Sequence, residues 1–133
     1  MGRAVMAASS VGEVFARTLA AKDHDGLCAL LTDPVDFQAL TPGRHWQTTS
    51  PREAVDGFVL GVWFGPGDTI EELRSVTCGR VADRHSVTYR LGVRRGGRLH
   101  AVEQHAYFDV DDAGRVPWIR IVCSGYRPDA GAA

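Results

Sequence analysis

Residues 69–124 constrain this fold more than any other stretch, because they read as four extended segments joined only by short turns. The segments are 69–81, 86–95, 98–110 and 116–124. Arg95-Gly96-Gly97-Arg98 joins the second to the third through a two-residue Gly-Gly turn, the kind that closes a tight hairpin. Asp111-Asp112-Ala113-Gly114 joins the third to the fourth. The second half of the chain is therefore expected to be an antiparallel meander.

Side chains alternate across a strand, so register decides which residues share a face. With Gly96-Gly97 as the turn, Arg95 pairs with Arg98, and counting back Leu91 meets Val102, Tyr89 meets Gln104 and Val87 meets Ala106. On the opposite face Arg90 meets Glu103 and Thr88 meets His105. A four-residue loop in the next hairpin pairs Val110 with Arg115, which places Gln104 by Ile121, Ala106 by Ile119, His105 by Arg120 and Tyr107 by Trp118. Both hairpins sort the same residues together. Val87, Tyr89, Leu91, Val102, Ala106, Phe108, Ile119 and Ile121 form an apolar face that should cover helices and any pocket. Arg90, Glu103, His105, Tyr107, Trp118 and Arg120 form the other. Those ionisable groups look like an acid–base constellation, but the register makes them cross-strand pairs on an outer face. The mixture of aromatics and arginine there suits a contact between proteins, so Glu103, His105, Tyr107, Trp118 and Arg120 are read as a homodimer interface.

The first half is helical with one hairpin. Ser9 or Ser10 can cap a first helix running to about Lys22, with Val11, Val14, Phe15, Thr18 and Leu19 on one face. Asp23-His24-Asp25-Gly26 breaks it, and a short second helix, 27–31, stops before Asp33-Pro34. Residues 35–40 and 44–48 read as strands around the turn Thr41-Pro42-Gly43. Ser50-Pro51-Arg52-Glu53 opens a third helix, with Ser50 as cap, Pro51 first and Glu53 three after the cap. That helix ends near Gly65-Pro66-Gly67.

At 133 residues the chain fits one domain, here residues 10–127, with 1–9 and 128–133 read as loose tails. A net charge of −1 argues against a nucleic-acid partner, which needs a concentrated basic surface. The longest apolar run, 58–64, has seven residues, far short of the roughly twenty a membrane span requires. The start has neither the apolar stretch of a signal peptide nor a myristoylation pattern. Cys28, Cys78 and Cys123, odd in number and widely spaced, suit free thiols in a reducing cytoplasm. No His/Cys/carboxylate set has metal-ligand spacing.

The order helix, short helix, hairpin, helix, long meander resembles the nuclear-transport-factor-2-like (SnoaL-like, ketosteroid-isomerase-like) superfamily over roughly residues 10–127. The local echoes are Phe15-Ala16-Arg17, the Ser50-Pro51-Arg52-Glu53 helix start, and residues 108–116 before the last strand. The resemblance implies an α+β cystatin-like cone: a strongly curved mixed or antiparallel sheet wrapped around three N-terminal helices, with an apolar pocket at the open end. It also implies a domain that binds a hydrophobic small molecule. Such a domain is either a cofactor-independent cyclase, isomerase or hydratase-like enzyme, or a non-catalytic dimeric binding or assembly module, since fold leaves chemistry open. The isomerase positions carry over poorly. The oxyanion tyrosine falls near Thr18, the strand carboxylic acid near Ala106, and the general base has Asp36 only as a sequence neighbour; the last-strand aspartate of the cyclases falls near Cys123.

Within that frame, Tyr89 and Gln104 are inner-face neighbours with Cys123 one strand away. A buried phenol and amide need partners; a ligand oxygen can serve, or the two can bond each other or the backbone. Arg44 and Trp46 share a face of the second strand at the mouth and can hold an anionic or aromatic ligand, while His45 faces oppositely. Phe58 belongs to the apolar run of pocket-wall residues. The ligand set is thus Arg44, Trp46, Phe58, Tyr89, Gln104 and Cys123, and the catalytic candidates are Tyr89, Gln104 and Asp36. No cofactor is expected. His24, between two aspartates, is read as a surface turn, and His100 as a rim residue.

Overall fold

Helix α1 (Gly2–Ala20) lays Val11, Phe15, Ala16 and Leu19 against the sheet, the spacing of one helical face. The computed structural model describes residues 2–129, with side chains from residue 11 onward. The helix runs through Ser9 and Ser10 rather than starting there, so neither is its cap. Val14, expected on the buried face, is exposed, because the contact stripe is narrow. Gly12 explains how closely α1 sits: a Cβ there would meet Val87 Cβ at 3.1 Å and Cys78 Sγ at 3.2 Å.

Asp23 does not merely end α1; it begins α2 (His24–Leu30). Its side chain, in extended backbone, accepts from the Gly26 amide at 3.0 Å, the bond of an N-cap. The second helix therefore starts three residues earlier than the sequence pattern suggests, and Leu31 already belongs to β1 (Leu31–Thr41). Strand β2 is Arg44–Thr48.

The third helix starts as expected, with the Glu53 amide donating to Ser50 Oγ at 3.1 Å. Its winding differs: Glu53–Trp63 is a π-helix. The buried positions Ala54, Val55, Val59 and Trp63 recur every four to five residues, the wider period of i→i+5 bonding. The Phe64 amide closes the last turn on the Val59 carbonyl at 2.8 Å.

Strands β3 (Thr69–Val81), β4 (Arg84–Arg95), β5 (Arg98–Phe108) and β6 (Val116–Cys123) form the meander, and a two-residue β7 (Arg127–Pro128) pairs with β5. The β4–β5 register is the expected one throughout, with Arg95 opposite Arg98, Leu91 opposite Val102, Tyr89 opposite Gln104 and Val87 opposite Ala106. The β5–β6 register is two residues away from expectation: Gln104 pairs with Cys123, Ala106 with Ile121 and Tyr107 with Arg120. The loop is wider than four residues, because the Asp111 carboxylate gathers the amides of Ala113 and Arg115, each at 2.9 Å. An even slip leaves every side chain on its face. Val87, Tyr89, Leu91, Val102, Ala106, Phe108, Ile119 and Ile121 are accordingly all buried.

The first hairpin joins the meander through β1, which runs parallel to β6 with Phe37 beside Ile119 and Ala39 beside Ile121. The sheet order is β2-β1-β6-β5-β4-β3, mixed and unclosed. The result is an α+β fold in which three helices fill one side of a curved sheet. No helix among the described residues is long and apolar enough to cross a membrane.

Candidate functional site

Inside the sheet, at the end where β1 and β2 meet the π-helix, four aromatic rings interlock. Trp46 lies 4.9 Å from Phe58 and 5.9 Å from Trp63, each edge to face, and Phe37 lies about 6 Å from both Phe58 and Trp63. Beside this cluster is a cavity of about 160 Å³, walled by Trp46, Trp63, Phe64, Val102, Cys123 and Tyr126. Half-buried Thr41 and exposed Val62 stand at its edge. Larger hollows of about 540 and 620 Å³ are grooves outside the cone, at the 94–98 hairpin tip and around Trp118.

Two buried donors in this region have no acceptor. Trp63 Nε1 and Gln104 Nε2 are both inaccessible to solvent and unbonded. Most buried polar atoms are paired, and each exception calls for an explanation. Tyr89 donates to Gln104 Oε1 at 2.5 Å, so phenol and amide do bond each other, yet the amide hydrogens are left over. Burial pushes the Tyr89 phenol well above its ordinary pKa, so it remains a proton donor. Trp46, by contrast, spends its indole N–H on Thr41 Oγ1 at 2.8 Å.

A polar clasp closes the adjoining rim. Arg95 grips buried Asp68 with two bonds of 2.8 Å and adds a third, 3.3 Å, to the Trp63 carbonyl. Its guanidinium stacks 3.6 Å above the Tyr126 ring, whose hydroxyl also donates to the Trp63 carbonyl at 2.7 Å. The Gly65 amide donates to Asp68 at 2.9 Å, and Lys22 Nζ holds the Gly65 carbonyl at 2.7 Å. The clasp ties the end of the π-helix to the end of β4. Hydrogen bonding from Arg95 holds the Asp68 carboxyl below its ordinary pKa. A depressed folded pKa means stability that is present above the unfolded carboxylate pKa and lost as pH falls through the folded one. Below about pH 4 the wild type should therefore lose stability faster than Asp68→Asn, as read from urea midpoints between pH 6 and pH 3. Parallel curves for the two proteins would show that the clasp contributes nothing.

The expected ligand residues are spread over this end of the cone. Trp46 and Cys123 line the cavity, and Phe58 packs on Trp46 behind it. Tyr89 and Gln104 lie deeper, with Gln104 between Val102 on its own strand and Cys123 opposite. Arg44 is exposed and its guanidinium lies 3.6 Å over the Trp46 ring. Asp36 is on the other side of the sheet, paired with Arg120 at 2.9 Å. His45 also faces outward, against Gln38 at 2.9 Å. Glu103, His105, Tyr107, Trp118 and Arg120 share the outer face; Glu103 bonds His105 at 2.9 Å and Arg90 at 3.0 Å. Trp118 there is flanked by the guanidiniums of Arg84, at 3.6 Å, and Arg120, at 4.3 Å. Trp63, Asp68, Arg95 and Tyr126 were not singled out by sequence patterns. The only local signal was the Gly65-Pro66-Gly67-Asp68 turn ending an aromatic run.

His24 does more than decorate a turn. It starts α2, bonding Asp25 at 2.8 Å and reaching Asp56 of the π-helix at 2.5 Å. The Asp25 bond raises its pKa. Cys28 Sγ is 3.9 Å from the same ring, but burial pushes its thiol up, the opposite of an activated nucleophile. Among the described residues no group of three or more His, Cys, Asp or Glu side chains is arranged to hold a metal.

No protein-family model matches the sequence, and no curated protein does. Solved structures do. A LEH-like epoxide hydrolase from M. tuberculosis aligns over 90% of this chain and 84% of its own, with 18% identity and a TM-score of 0.64. A Bacillus subtilis protein proposed to be an isomerase covers 90% and 88%, with 12% identity and a TM-score of 0.69. A Xanthomonas campestris protein with a cystatin-like fold covers 87% and 89%, with 14% identity and a TM-score of 0.57. At these identities the likeness is one of architecture, and what it establishes is that this chain has a cystatin-like α+β fold.

Proposed function

We propose that the protein is a small-molecule-binding cone domain whose partly open, aromatic-walled cavity takes a compact apolar ligand. The observation that carries this reading is the cavity of about 160 Å³ whose wall is made by the Trp46, Trp63, Phe64 and Tyr126 rings. Binding is favoured over catalysis by the same geometry. Enolisation or epoxide opening needs a base at the substrate, and besides the Tyr89 phenol, which stays protonated, the buried polar residues among those described are Thr48, Asp68 and Gln104. Asp68, the one carboxylate of the three, is engaged on both oxygens by Arg95. The similar structures named as hydrolase and isomerase support use of the cone for small molecules, without fixing a reaction here. Small aromatic compounds should raise the melting temperature, and Trp46→Ala should abolish that shift by opening the wall. A flat response of the wild type across a broad aromatic panel would remove the proposal.

A second reading concerns the outer face. Leu40 and Val122 are neighbours in register on β1 and β6, and both are about half exposed. With Tyr107 and Trp118 nearby they form an apolar centre among paired charges, the composition of an interface between two copies of the chain. Trp118→Glu should convert a dimer into a monomer in light scattering; an unchanged mass would dismiss this face.

A further inference from the structure

We propose that α2 is fastened to the π-helix by a proton: the His24 ring, charged and set between the Asp25 and Asp56 carboxylates, is a latch that opens when pH rises and the proton leaves. The geometry at both ring nitrogens carries this. Nδ1 lies 2.8 Å from Asp25 Oδ1 on its own helix, and Nε2 lies 2.5 Å from Asp56 Oδ1 on the π-helix. A neutral imidazole keeps its hydrogen on one nitrogen and a lone pair on the other. Either neutral tautomer would therefore press a lone pair against a carboxylate oxygen. The imidazolium presents an N–H on both sides.

Among the described residues no other histidine is held between two carboxylates. His105 has Glu103 at 2.9 Å on one nitrogen but the Thr88 hydroxyl at 3.4 Å on the other, and a hydroxyl can donate to a neutral ring. His45 faces the Gln38 amide oxygen, His100 faces the Arg98 carbonyl, and His85 stacks on Phe108. The groups around His24 come from several elements. Asp23 caps α2 before it, Asp25 follows it, and the Cys28 thiol lies one turn on at 3.9 Å. Asp56 faces it from the π-helix and Arg52 from the residue before that helix, while Asp33 and Arg115 border the same groove. The hydrogen bond to Asp25 does most to raise the ring's pKa, and Asp56 adds to it; burial and Arg52 pull the other way.

Little else fastens α2 at this end. Leu27 is the buried one of its seven residues, and Cys28 Sγ reaches the Pro51 carbonyl only at 4.0 Å. Among the described residues, His24–Asp56 is the one ion pair between α2 and the π-helix. A folded pKa above the ordinary histidine value contributes stability that is complete below about pH 6.5 and lost as pH rises through the folded pKa. The latch is shut in mild acid and open in mild alkali.

The test reads the ring and the helix separately, in the whole chain. The His24 Cε1–H resonance, assigned by its loss in His24→Gln, should titrate with a midpoint above that of an ordinary histidine. That midpoint should fall in Asp56→Asn and in Asp25→Asn. Amide-exchange protection over residues 27–30, with the intrinsic pH dependence of exchange divided out, should drop about two- to fivefold between about pH 5.5 and 8.5, the strength of ion pairs open to solvent. The drop should vanish in Asp56→Asn, while protection in β5 stays constant in both proteins. Asp25→Asn serves in its place if Asp56→Asn does not fold. A midpoint at or below the ordinary histidine value would overturn the charged bridge. A raised midpoint with α2 protection independent of pH would overturn the latch, as would a drop that persists undiminished in Asp56→Asn.

Discussion

Gly61→Ala should lower the melting temperature by about 10 °C or more, corresponding to roughly 3 kcal/mol in a domain of this size. The reason is steric. The wide winding of the π-helix brings the Asp56 carbonyl so near that a Cβ on residue 61 would stand 2.0 Å from its oxygen. Backbone contacts that short do not occur, so the helix must rewind. Rewinding to 3.6 residues per turn rotates everything after the change, including Trp63 and Phe64, both on the cavity wall. Gly57→Ala is the control: its added methyl meets only the Glu53 side chain at 3.4 Å, and replacing glycine in a helix interior usually stabilises. Equal melting temperatures for the two variants would mean that the helix is α-wound in solution.

Phe37→Ala should cost about 3–5 kcal/mol in urea denaturation, a large part of the stability of a typical domain. Phe37 is 1% exposed and touches the rings of Phe58 and Trp63, so truncation removes transfer energy and leaves a void that rigid aromatic neighbours cannot close. Its position matters beyond stability. Phe37 pairs with Ile119 on β6 and with Thr48 on β2, at the seam where hairpin and meander join. A loss under 1 kcal/mol would show that the aromatic cluster is loosely packed, and the cavity beside it could not then select its ligand by shape. Val122→Ala, on the exposed face, should change stability little.

The two hairpins of the meander show what local information can carry. The Gly96-Gly97 turn has positive φ at both residues, so the two-residue geometry and the register it dictates follow from glycine chemistry. The second hairpin slipped by two because the Asp111 side chain captures two amides of its own loop, a choice that composition does not announce. Face assignment survived because the error was even. Asp23 illustrates the opposite failure: Asp-His-Asp-Gly has the look of a break, and the same aspartate is a good cap for the following helix.

Alternation within each β-segment, together with the glycine turn, was sufficient to assign the inner and outer faces, to bury Tyr89 against Gln104, and to put Glu103 and His105 outside. Those are near-neighbour relations set by backbone periodicity. The site itself depends on contacts between residues far apart in the chain: β1 laid parallel to β6, Asp68 meeting Arg95, and Tyr126 folded back onto the Trp63 carbonyl. Periodicity says nothing about such meetings, because they are fixed by how the curved sheet packs on the π-helix. Which donors remain without acceptors is decided only there.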